Sequence, residues 1–125
     1  MRAQLKEIAP LGAGGLETFQ PDNPALFMVW VTLSIGVEGT EAADDFRALI
    51  CSVSSLSGLV AESVVLLGQP LIVAERWDFP LIKQRIEDYC SACEGDEWED
   101  ILPKLMRLGL WEFEDFNPNG IVIEH

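Results

Sequence analysis

Apolar and polar positions alternate most cleanly between Phe27 and Val37. Phe27, Val29, Val31, Leu33, Ile35 and Val37 fall on one side, and Met28, Trp30, Thr32 and Ser34 on the other. A two-residue period of this length, rich in β-branched residues, predicts a strand. Trp30 on the second side implies that this face is partly covered as well. Gly36 to Asp45 contains Gly39, Thr40 and several acids, and it predicts a turn. Phe46 to Val53 then resumes as a strand, so the two form an antiparallel hairpin. Upstream, Met1 to Ala9 alternates more loosely, with Ala3, Leu5 and Ala9 set against Arg2, Gln4 and Lys6, and Pro10 ends this first strand. Leu11 to Pro24 is rich in Gly, Pro, Asp and Asn and reads as a flexible connection. Its Gly12, Gly14 and Gly15 match neither the dinucleotide fingerprint nor the phosphate loop.

The period lengthens in the second half. Leu56, Leu59, Val60, Val64 and Leu67 have helical spacing, and Ser54 or Ser55 offers a cap. Gly58 and the Val64-Val65 pair weaken this short helix. Gly68-Gln69-Pro70 interrupts the chain, and Leu71 to Glu75 is a compact apolar strand. Asp78 is placed to cap a helix with Pro80 in its first turn. Phe79, Ile82, Ile86, Tyr89 or Cys90, and Cys93 then step by three and four. A second helix carries Trp98, Ile101, Leu102, Leu105 and Leu108 on one side, with Asp96 as N-cap and Gly109 as the residue past its end. If that helix starts at Asp96, Pro103 lies inside it; if it starts near Asp100, the proline falls in the first turn. Leu110 to Phe116 alternates again, with Trp111 and Phe113 opposite Glu112 and Glu114. Asn117-Pro118-Asn119-Gly120 is a turn, and Ile121 to Glu124 adds a last edge strand or a tail. No internal repeat is visible. The predicted fold is α+β: one domain over residues 1–125, an antiparallel or mixed sheet with two C-terminal helices packed on one face.

Composition narrows the function. The chain has 125 residues, 49% of them hydrophobic, enough to bury a core without disulfides or metal. Its 21 acidic and 8 basic side chains give a net charge of −13. This argues against nucleic acid or an anionic membrane as partner, because both are bound through clustered Lys and Arg. It favours a basic protein partner captured by electrostatic steering. The N-terminus lacks the apolar run of a signal peptide, and the run from Ala25 to Leu33 is too short to span a bilayer. A cytoplasmic protein with reduced thiols is expected.

The acids are unevenly distributed. Glu87, Asp88, Glu94, Asp96, Glu97, Glu99 and Asp100 fall between Ile86 and Pro103 with no basic residue among them, and Glu112, Glu114 and Asp115 follow. Such a run is either a solvated face with helix capping or a surface for a basic partner. It lacks the ligand order of an EF-hand loop, and no metal or cofactor is expected. The candidate partner-binding residues are Asp96, Glu97, Glu99, Asp100, Glu112, Glu114 and Asp115. Cys90 and Cys93 form a C-x-x-C at the C-terminal end of a helix, where the dipole does not activate a thiol, so they read as core residues. Trp30, Trp77, Trp98 and Trp111 fit packing positions, with Trp77, at a strand-to-helix corner, the one whose place is closest to the surface. The single histidine is the last residue, so no nucleophile–histidine pair can be assembled, and no catalytic residue is assigned.

The pattern resembles a family of bacterial polymorphic-toxin immunity proteins, immunity protein 8. The resemblance rests first on Leu33-Ser34-Ile35-Gly36, Asp45-Phe46 and Cys51-Ser52. It rests more specifically on Tyr89, Cys93-Glu94-Gly95, Trp98, Leu105, Gly109 and Trp111-Glu112-Phe113-Glu114-Asp115. The 11–15 segment and the last five residues do not contribute to it. It implies a non-enzymatic protein, encoded beside a toxin, that binds and occludes that toxin; the charge suggests a basic nuclease. A homodimer is compatible with the sequence. The alternative is a small acidic carboxylate hydrolase or cation-binding protein.

Overall fold

The computed structural model describes residues 1–11, 15–16, 19–63 and 70–113. The chain is α+β, with a mixed five-stranded sheet and helices. β1 (Ala3–Pro10), β2 (Met28–Val37) and β3 (Asp44–Ser52) form an antiparallel meander. A 3-10 turn at Val53–Ser55 leads into α1 (Leu56–Ser63). β4 (Leu71–Ala74) then pairs parallel to β3, with Leu49 opposite Leu71 and Ser52 opposite Ala74. α2 (Phe79–Ala92) and α3 (Trp98–Leu105) follow, and β5 (Leu110–Trp111) pairs antiparallel with Phe46 and Arg47. β3 is therefore the central strand, with β2 along one edge and both β4 and β5 along the other.

The alternation read at 27–37 becomes the inner face of the sheet. Val31, Leu33, Ile35, Phe46, Ala48 and Ile50 are fully buried, and α2 and α3 close over this face with Phe79, Ile82, Ile86, Cys90, Ile101 and Leu105. On the outer face Met28 is 52% and Trp30 39% exposed, so Trp30 is only partly covered.

Several boundaries differ from the reading, each for a local reason. β1 alternates loosely because its register slips between Leu5 and Glu7. This leaves Lys6 without a partner across and turns Ile8, not Ala9, toward the core. Pro10 is the last paired residue of the strand, which a proline can be on an edge. The Ser54 and Ser55 hydroxyls ahead of α1 donate back to the carbonyls of Ala25 and Ser52. Asp78 caps α2, accepting from the Leu81 N–H at 3.3 Å. Glu97, not Asp96, is the N-cap of α3, so Pro103 lies inside that helix, two residues before its end. Gly109 has no positive φ; it is small because a Cβ there would lie 3.1 Å from the Arg47 carbonyl oxygen as the chain joins β3. The described part of the last strand is two residues long, and the predictions for 64–67 and beyond 113 lie outside the described residues.

Trp77 packs against the core despite its corner position. Its ring meets Phe19 at 4.8 Å and Phe27 at 5.2 Å, and its Nε1–H donates to the Phe19 carbonyl at 3.1 Å. With Leu16 buried in the core, this anchors the connection that composition alone reads as loose.

Cys51, Cys90 and Cys93 are free and buried. Burial, with smaller effects from Cys93 and Glu87, pushes the Cys90 thiol from 9.0 up to about 12. The folded state therefore keeps a proton that the unfolded chain loses above its ordinary value. The resulting stability is intact below pH 9 and falls as pH rises from 9 toward 12. Urea unfolding at stepped pH should show this decline, by roughly 4 kcal/mol at most at about 1.4 kcal/mol per pK unit. Cys90→Ala should flatten it, and an unchanged slope in that variant would contradict the assignment.

Candidate functional site

The acidic candidates are placed by three elements that meet at one end of the sheet. α3 begins where Gly95 and Asp96 leave the N-terminal segment: the Gly95 N–H donates to the Met1 carbonyl at 3.0 Å, and Arg2 bridges Glu94 in antiparallel fashion. At the start of α3 the Asp100 Oδ2 accepts from the Glu97 N–H at 3.1 Å, and the Asp100 N–H donates to the Glu97 carbonyl at 3.0 Å. This satisfies groups that a helix start otherwise leaves open, and places Asp100 at the positive end of the dipole.

β5 brings in Glu112. Its Oε1 accepts from the Asp45 N–H at 2.9 Å and its own N–H donates to the Asp45 carbonyl at 2.9 Å, so the side chain extends the pairing to β3. The Asp45 Oδ1 in turn accepts from the Ser34 hydroxyl at 2.8 Å. Asp44, the first residue of β3, completes the junction: its Oδ2 accepts from the indole N–H groups of Trp98 at 3.2 Å and Trp111 at 3.0 Å.

The seven candidates thus have different roles. Asp100 and Glu112 hold backbone N–H groups. Among the described residues, Asp96 and Glu99 are exposed and make no side-chain hydrogen bond or ion pair. Glu97 is exposed at the N-cap. Asp96 faces a different cleft from the others, beside Met1, Arg2, Glu94 and Lys104. Glu114 and Asp115 lie outside the described residues.

The structure adds acids that the sequence reading left in a turn. Glu38, Glu41, Asp44 and Asp45, on and after the β2–β3 turn, reach the same end as α3 and β5. Glu38 pairs with Arg2 at 2.9 Å, whereas Glu41 is exposed and unattached among the described residues. Between this hairpin and α3 lies a cleft of about 330 Å³ lined by Gly36, Val37, Thr40, Ala42, Ala43, Asp44 and Trp98. Gly36 allows the hairpin to fold back this closely: a Cβ there would lie 1.9 Å from the Ala42 carbonyl oxygen.

The remaining chemistry is sparse. Burial raises the Cys93 and Tyr89 pKa values, and the Tyr89 hydroxyl donates to the Lys104 carbonyl at 2.6 Å. Among the described residues no three His, Cys, Asp or Glu side chains come together as a metal site, and no helix is long and apolar enough to cross a membrane.

The division among the acids can be checked by chemical denaturation. Asp100→Ala and Glu112→Ala should each lower stability by about 1 kcal/mol, the usual cost of losing such a bond. Asp96→Asn and Glu99→Gln should stay within about 0.5 kcal/mol of the parent. Equal losses in all four would contradict the division.

Residues 3–116 match the model of a family described as immunity protein 8, and the chain belongs to that family. No curated protein and no solved structure matches it.

Proposed function

We propose that this member of the immunity protein 8 family protects the cell that makes it by binding a cognate toxin and occluding its active surface, without chemistry of its own. The surface assigned to this task is the acidic end where the β2–β3 hairpin, the start of α3 and β5 meet. The observation that carries the assignment is the union of acids from segments over 50 residues apart in sequence, with Glu41 and Glu99 left unattached there among the described residues. Like charges held together raise the energy of the folded protein, and that cost is relieved when a basic surface docks on them. The partner is accordingly a basic protein, and a nuclease, whose cleft must be cationic to hold its substrate, fits this best. Binding takes place in the cytoplasm of the producing cell.

Co-expression with the product of the adjacent reading frame is the direct test. The neighbour alone should stop growth, and this protein should restore growth and co-purify with it. A harmless neighbour, or one that is neither rescued nor bound, defeats the reading. In the purified pair, joint reversal of Glu41 and Glu99 to Lys should lower the association rate at low ionic strength by about 10-fold or more, and flatten its salt dependence. An unchanged rate would remove these acids from the interface.

A further inference from the structure

The cleft between the hairpin and α3 differs from the other acidic features of this surface, because its walls are apolar while the charged residues bordering those walls in sequence are acidic. Val37, Ala42, Ala43 and the half-buried ring of Trp98 form the walls. The indole is fixed in place, since its N–H is engaged by Asp44. Asp44 is itself among the lining residues, and the exposed Glu41 and Glu99 are next in sequence to the wall residues Ala42 and Trp98. At about 330 Å³ the cleft is at the lower end of ligand-site volumes, which run from about 300 to 1,000 Å³. That suits one side chain rather than a cofactor.

An occupant must offer apolar stem to the walls, a flat surface to the indole and positive charge to the neighbouring acids. Arginine meets all three requirements: three methylenes, a planar guanidinium that stacks on aromatic faces, and a permanent charge. Lysine lacks the plane, and an aliphatic side chain would leave those acids uncompensated. The protein's own cations already settle on this hairpin. Arg2 pairs with Glu38, and the Lys6 Nζ donates to the carbonyl of Thr40, a cleft residue, at 2.5 Å. Glu41 and Glu99 remain unattached among the described residues.

We propose that this cleft seats an arginine side chain presented by the toxin, as the central anchor of the complex. The proposal rests on the toxin-binding reading above and adds to it the place and chemistry of the anchor. Ala43 is exposed, so Ala43→Lys puts a competing cation at the cleft without disturbing the core. An unchanged unfolding temperature confirms that this variant folds. Calorimetric titration with the purified toxin should show affinity reduced about 30-fold or more, the loss expected for an anchoring residue. Binding by the parent and equal binding by Ala43→Lys would overturn the anchor and leave the immunity reading standing.

A second arm does not depend on the toxin. End-blocked Gly-Arg-Gly, followed by ¹H–¹⁵N spectra of the free protein, should shift the Trp98 indole N–H and the Ala42 and Ala43 amides. The same peptide with citrulline, which is close to isosteric and uncharged, should not. No shift, or equal shifts with both peptides, would overturn the proposal even if the toxin binds.

Discussion

One carboxylate oxygen ties the start of α3 and the end of β5 to the first residue of the central strand. Asp44 Oδ2 receives two indole N–H groups, from the first residue of α3 and the last of β5. Hydrogen bonds to a charged acceptor are worth roughly twice neutral ones, and a half-buried indole N–H left without an acceptor would cost stability. Because Asp44 also opens the central strand, it fixes helix, edge strand and hairpin relative to one another. The bond from the Tyr89 hydroxyl to the Lys104 carbonyl then ties the end of α3 to α2. The cleft and the acids around it inherit their geometry from this junction.

The acids at this end do two kinds of work. Asp44, Asp45, Asp100 and Glu112 accept hydrogen bonds that the fold needs. Glu41, Asp96 and Glu99 form no such bonds among the described residues, and they add repulsion to a chain already at −13. Trp98, Trp111 and Gly36 shape this end, and the unattached acids are exposed.

What the sequence reveals depends on how local each cause is. The strand at 27–37 is legible because one face is buried against helices throughout, so its alternation is unbroken. The cap at Asp78 is legible because it depends on a residue three positions away. The slip at Lys6 is not legible, since a bulge erases the alternation that would reveal the strand's inner face. The packing of Trp77 is only weakly signalled, because its partners Phe19 and Phe27 are distant in sequence, Phe19 by 58 residues. The parallel docking of β4 is another long-range event without a local signal. At the candidate site the run from Asp96 to Asp100 is visible in one segment. The contribution of Glu38, Glu41, Asp44 and Asp45 is hidden, because only the fold brings the hairpin beside α3. A carboxylate opening a strand, with tryptophans at the edges of two later elements, is the one signal that pointed there.

The dependence of this surface on Asp44 is tested most directly in the Asp44→Ala variant, by ¹H–¹⁵N spectra of the two indoles combined with urea unfolding. Both the Trp98 and the Trp111 Nε1–H resonances should move together and exchange faster with solvent, and stability should fall by roughly 2–3 kcal/mol for the two charge-assisted bonds lost. Unmoved indole resonances with unchanged stability would show that the junction does not organise the acidic end, and would contradict the account.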